Sequence, residues 1–80
     1  MKYKTESAVK WLETLLHTDK ISEAREAFLQ SLISALGPKV RIVSSQKIFL
    51  LSWFDQIEKN RNMYKMDKVA EVARWIRECV

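Results

Sequence analysis

Glycine, proline, cysteine and histidine occur once each in this 80-residue chain, and each scarcity removes a class of protein. The lone Cys79 has no partner for a disulfide, so a stapled secreted scaffold is excluded and a reducing, intracellular setting, cytoplasmic or nuclear, is expected. A metal site needs three or four converging ligands, and the single His17 and single Cys79 fall on different predicted helices, so no metal is expected. Gly37 is followed at once by Pro38 and cannot form a glycine-rich phosphate cradle; no nucleotide or other cofactor is expected. Long apolar runs are missing too. The densest, Ile48 to Phe54, is far short of the ~18 to 20 residues of a membrane span, and Met1 to Glu6 has no apolar stretch of signal-peptide type, so no membrane partner is expected.

What is present is apolar and charged in helical measure, with 48% hydrophobic and 30% charged residues. A chain of this length buries about 60% of its unfolded surface, which makes nearly every apolar position necessary and any surplus informative. On a wheel, Ala8, Val9, Trp11, Leu12, Leu15 and Leu16 share one arc and Glu6, Ser7, Lys10, Glu13, Thr14 and His17 the other, with Thr5 as N-cap: an amphipathic helix. Thr18 to Lys20 breaks it. Asp19 or Ser22 caps a second helix reaching Leu36, with Phe28, Leu29, Leu32, Ile33, Ala35 and Leu36 inward, and the short connection predicts a helical hairpin.

Gly37-Pro38 is the strongest punctuation, Gly at the C′ position and Pro forbidding continuation. Lys39 to Val43 is β-compatible, and Ser44 or Ser45 caps a third helix to about Lys59. Its stripe is Phe49, Leu50, Trp53, Phe54 and Ile57, and because Ile48 and Leu51 lie off it, this helix is expected to be the central, most buried element. A rival reading folds Val40 to Val43 and Ile48 to Phe54 into a β-hairpin, against which the i, i+4, i+8 spacing of Phe49, Trp53 and Ile57 argues. After Asn60 to Asn62, a last helix places Val69, Val72, Ala73, Ile76 and Val80 on one stripe. It has no terminal glycine, so either it frays at its end or the chain is a piece of a longer protein. The predicted architecture is all-α: one domain, a compact bundle of four helices, or five if the last is bent, in orthogonal or up-down arrangement, at about 6–17, 20–36, 45–59 and 63–79.

Catalysis is not expected. His17 is the only candidate base and lies on a polar face, and pairs such as Glu23 with Glu26, or Asp55 with Glu58, lie on helix faces rich in Lys and Arg. Two surfaces remain. Trp75 sits about 100° from the centre of its helix's stripe, among Lys68, Glu71 and Glu78. With Met63, Tyr64, Met66 and Ile48 it exceeds what the core needs and forms a candidate protein-binding surface or homodimer seam. The alternative is nucleic acid. The net charge of +4 resides in residues 37 to 66, where Lys39, Arg41, Lys47, Lys59, Arg61 and Lys65 face only Asp55 and Glu58. Lys39 and Arg41 precede the third helix while Lys59, Arg61 and Lys65 follow it, roughly 20 Å apart, so the basic loops at 39–47 and 59–68 form two patches. A helix-turn-helix reading of Leu36-Gly37 to Val43 fails on Ile33, where a small residue is wanted, and on the long connection.

The order of elements, ending in Ala70-Glu71-Val72-Ala73-Arg74-Trp75, resembles that of small helical docking modules of transcription elongation factors. The resemblance implies a non-enzymatic docking role and carries no residue across.

Overall fold

The computed structural model describes residues 7–60 and 66–78, the side chain of Met66 excepted. They form four helices, α1 (Ala8–Leu16), α2 (Glu23–Leu36), α3 (Ser44–Lys59) and α4 (Met66–Glu78), in a compact bundle. Met63, Tyr64, Arg61 and Lys65 lie outside the described residues, as does Thr5.

Local chemistry sets the boundaries. Ser7, and not Thr5, caps α1, its Oγ accepting from the Lys10 N–H at 3.3 Å. The helix closes at His17, and Lys20 takes a left-handed backbone (φ 64°) in the turn before Ser22, whose Oγ accepts from the Arg25 N–H at 3.2 Å. The second helix therefore starts three residues later than its periodicity suggests, and Ser22 takes the cap over Asp19. Gly37 ends α2 at φ 78°. A Cβ there would meet nothing within 4 Å, so Gly37→Ala is expected to cost about 1 kcal/mol through backbone strain alone, read as a lower denaturation midpoint with an unchanged slope.

Residues 44–59 are helical, so the β-hairpin is not formed; the isolated bridge described joins Ser7 to Arg41. Beside it the Ala8 N–H donates to the Val40 carbonyl, tying the α2–α3 connection to the start of α1. Neither Ser44 nor Ser45 caps α3. Val43 occupies the N-cap and has no side-chain acceptor to offer, while Gln46 Oε1 turns back to accept from the Val43 N–H at 3.0 Å. Gln46 is fully buried, its Nε2 without a partner among the described residues, the cost of placing an amide where the helix enters the core.

The centre of the bundle is α2, where α3 was expected. The other three helices each pack on α2, which buries Phe28, Leu29, Leu32 and Leu36. Phe28 meets Trp53 edge-on at 4.6 Å between centroids and Phe54 at 5.8 Å. Arg25 at the start of α2 pairs with Glu58 near the end of α3 (2.8 Å) and lies over the Phe54 ring, so the two helices run in opposite directions. At the other end of α2, Arg77 of α4 donates to the Ala35 and Leu36 carbonyls, which the helix itself leaves without partners. The buried side of α3 is Gln46, Leu50, Phe54 and Ile57; Phe49, assigned to the core by its spacing, is 48% exposed. The inward stripe of α4 is Val69, Val72, Ala73 and Ile76, as its periodicity requires.

Candidate interaction cleft

On α3, Lys47 faces α1, its ammonium 5.6 Å from the centre of the Trp11 ring, and Phe49 faces α4. Both α3 and α4 rest on α2, and between them they leave a cleft of about 460 Å³ lined by Phe49, Trp53, Lys68, Glu71, Val72 and Trp75. Trp75, half-buried on the edge of the α4 stripe, meets Phe49 edge to face, with ring centroids 4.8 Å apart at 63°. Trp53 is anchored below by its contact with Phe28, which fixes the cleft to the core. At the lip, Lys68 Nζ lies 3.3 Å from Glu71 Oε2, an ion pair too exposed to hold the fold and free to be exchanged for a partner's charges.

The candidate residues separate. Trp75 lines the cleft, as its offset from the stripe suggests. Ile48 does not join it: it is 70% exposed on the outer face of α3, with Leu51 (43%) beside it. Met66 begins α4, and Met63 and Tyr64 lie outside the described residues. Phe49, Trp53 and Val72 were missed as cleft residues because the wheel assigned them to the core. The signal that could have found Phe49 is its place at the margin of an arc centred on Leu50 and Phe54. The basic residues separate too. Lys39 and Arg41 are exposed in the α2–α3 connection, Lys59 ends α3 about 20 Å away, and Arg61 and Lys65 are not described. Residues 44–47 and 66–68, read as parts of basic loops, are the first turns of α3 and α4.

Among the described residues, no group of three His, Cys, Asp or Glu side chains is placed to hold a metal ion, and no helix is long and apolar enough to cross a membrane. Compared with known proteins, the chain matches no family model, no curated protein and no solved structure.

Proposed function

We propose that this chain is a non-enzymatic interaction domain, of adaptor or regulatory type, that docks a peptide or another domain in the cleft between α3 and α4. The observation that carries the reading is the Phe49–Trp75 pair, two rings on neighbouring helices that meet at 4.8 Å while Phe49 stays 48% exposed. Apolar surface left in water forgoes about 25 cal/mol per Å². In a chain with so small a core, two large rings at the surface favour a use outside the fold. A cleft with aromatic walls and a charged lip suits one large apolar anchor, such as Leu, Met or Phe, whose polar neighbours meet Lys68 and Glu71.

A second reading, nucleic-acid binding, draws support from the absence of any Asp or Glu between Gly37 and Phe54, where Lys39 and Arg41 are exposed and Lys47 lies over Trp11. It retains the 39–47 half of the basic surface.

Peptides selected by display against the folded chain, titrated into isotope-labelled protein, are expected to carry one apolar anchor and to shift the NMR signals of Phe49, Trp53, Val72 and the Trp75 indole. Trp75→Ala is expected to weaken them about tenfold or more while melting stays cooperative. Loss of cooperative melting in that variant would return the ring to the core and end the reading. Shifts at Lys39 and Arg41 on adding a mixed-sequence oligonucleotide, weakening at least tenfold between about 50 and 200 mM salt, would move the function to the basic end.

A further inference from the structure

Two aromatic rings outside the cleft each carry a cation from the chain itself, Lys47 at 5.6 Å from the centre of Trp11 and Arg25 at 5.1 Å from that of Phe54. Among the described residues, the cleft rings Phe49, Trp53 and Trp75 carry none. Lys68, the cation in the cleft lining, is turned to the Glu71 carboxylate instead. The face of an aromatic ring is negative and attracts a cation within about 6 Å of its centre, most strongly a cation that sheds its water easily.

The three rings converge. Phe49 and Trp53 are one turn apart on α3 and so share a face, and Trp75 comes across from α4 to meet Phe49 with the ring planes at 63°. Two rings set at that angle form a corner and not a stack, and Trp53, half-buried and held edge-on against Phe28, is the third aromatic wall. The charge at the edge has the matching sign. On the Trp75 side of α4, Lys68 stands against two carboxylates, Glu71 and Glu78, while Arg74 is turned about 100° from Trp75. On α3 the exposed residues one turn from Phe49 and Trp53 are Ser45, Ser52 and Gln56, none of them charged. In a chain of net charge +4, this edge is net negative.

We propose, resting on the docking role of the cleft, that its occupant is a methylated lysine of a partner peptide, with the trimethylammonium head among Phe49, Trp53 and Trp75 and within reach of Glu71. Methylation keeps the charge of lysine, removes its N–H donors and wraps the nitrogen in apolar methyl groups, so the head gives up little hydration and touches the rings directly. An unmodified ammonium is a strongly hydrated point charge with three donors to satisfy, and the carboxylate in the lining already faces Lys68. Leu, Met or Phe fill the same space among unmodified side chains but leave the attraction of the rings for charge unused. A volume of about 460 Å³ admits both the head and its methylene stem.

The test uses short peptides with varied neighbours around one central lysine, each made in three forms: unmodified, trimethylated, and a neutral isostere in which carbon replaces the quaternary nitrogen. The trimethylated form is expected to bind with a Kd on the order of 100 µM and to move the Trp75 indole signal. The unmodified form and the isostere should each bind about fivefold or more weakly. Phe49→Leu, at a 48% exposed position, keeps apolar bulk and should abolish the preference for the trimethylated form over the isostere. Glu71→Gln should reduce that preference and Lys68→Gln increase it, both at exposed side chains where folding is not at risk. Equal affinity for the trimethylated form and the isostere overturns the proposal and leaves an apolar docking cleft standing. No binding of any trimethylated peptide at 1 mM overturns it too, and the display-selected peptides then tell whether the docking role falls with it. Free phosphocholine that binds more tightly than every trimethylated peptide transfers the site to a headgroup and overturns the assignment to lysine.

Discussion

Phe28→Ala is expected to remove a large share of the chain's stability, the largest loss of any single truncation in the core. Phe28 has no exposed surface and stands where α2 meets α3, edge-on to both Trp53 and Phe54. Truncating such a ring removes its transfer free energy and leaves a cavity whose walls are two further aromatic rings that cannot collapse inward, a cost of about 3 to 5 kcal/mol. The stability available to 80 residues is about 4 to 12 kcal/mol. The melting temperature should fall by at least about 12 °C, whereas Phe28→Leu, which keeps much of the volume, should lose about 1 to 2 kcal/mol. A Phe28→Ala protein that melts within a few degrees of wild type would mean that the α2–α3 seam is not where the chain's stability resides.

The second large effect is a contrast between neighbours. Leu50 is fully buried and Leu51 is 43% exposed, so Leu50→Ala is expected to cost about 2 to 5 kcal/mol and Leu51→Ala less than about 1 kcal/mol. The same chemical change one residue apart then reads the rotation of α3 directly. Equal costs, or the reverse order, in denaturant titrations of the two variants would place the helix about 100° from the orientation described.

That orientation marks where sequence reasoning stopped. Leu50, Phe54 and Ile57 recur at helical spacing and belong to the core, and Ser22, Gly37 and the stripe of α4 are legible because each is tied to a local rule of capping or periodicity. Phe49 has the same spacing from Trp53 as Leu50 has from Phe54. Which pair faces inward depends on the gap between α3 and α4, a tertiary fact with no local signature. The same gap explains why α3, the most apolar helix by inspection, is not the central one: part of its apolar surface serves the cleft and part the outer face. Gln46 was invisible for the opposite reason. A polar residue four before Leu50 gives no hint of burial until its amide is seen closing the backbone of Val43. Of the candidate site, Trp75 was legible from its offset. Its neighbours were not, since a wheel cannot distinguish a residue facing the core from one facing a second helix across open space.

Fastening the three outer helices to α2 also decides how the molecule comes apart. At their edges the outer helices also touch one another, α1 and α3 through Lys47 on Trp11 and α3 and α4 through Phe49 on Trp75. An outer helix lifts only by exposing its own buried stripe, while α2 is released only when every outer helix has gone. Breathing of such a molecule is a set of partial openings about one fixed axis, each with a free energy below that of global unfolding. The edge that borders the α3–α4 cleft is closed by the Phe49–Trp75 contact, so the width of the cleft depends on that one pair of rings. A ligand that wedges it open works against a small restoring force; one that bridges it adds to the stability of the whole.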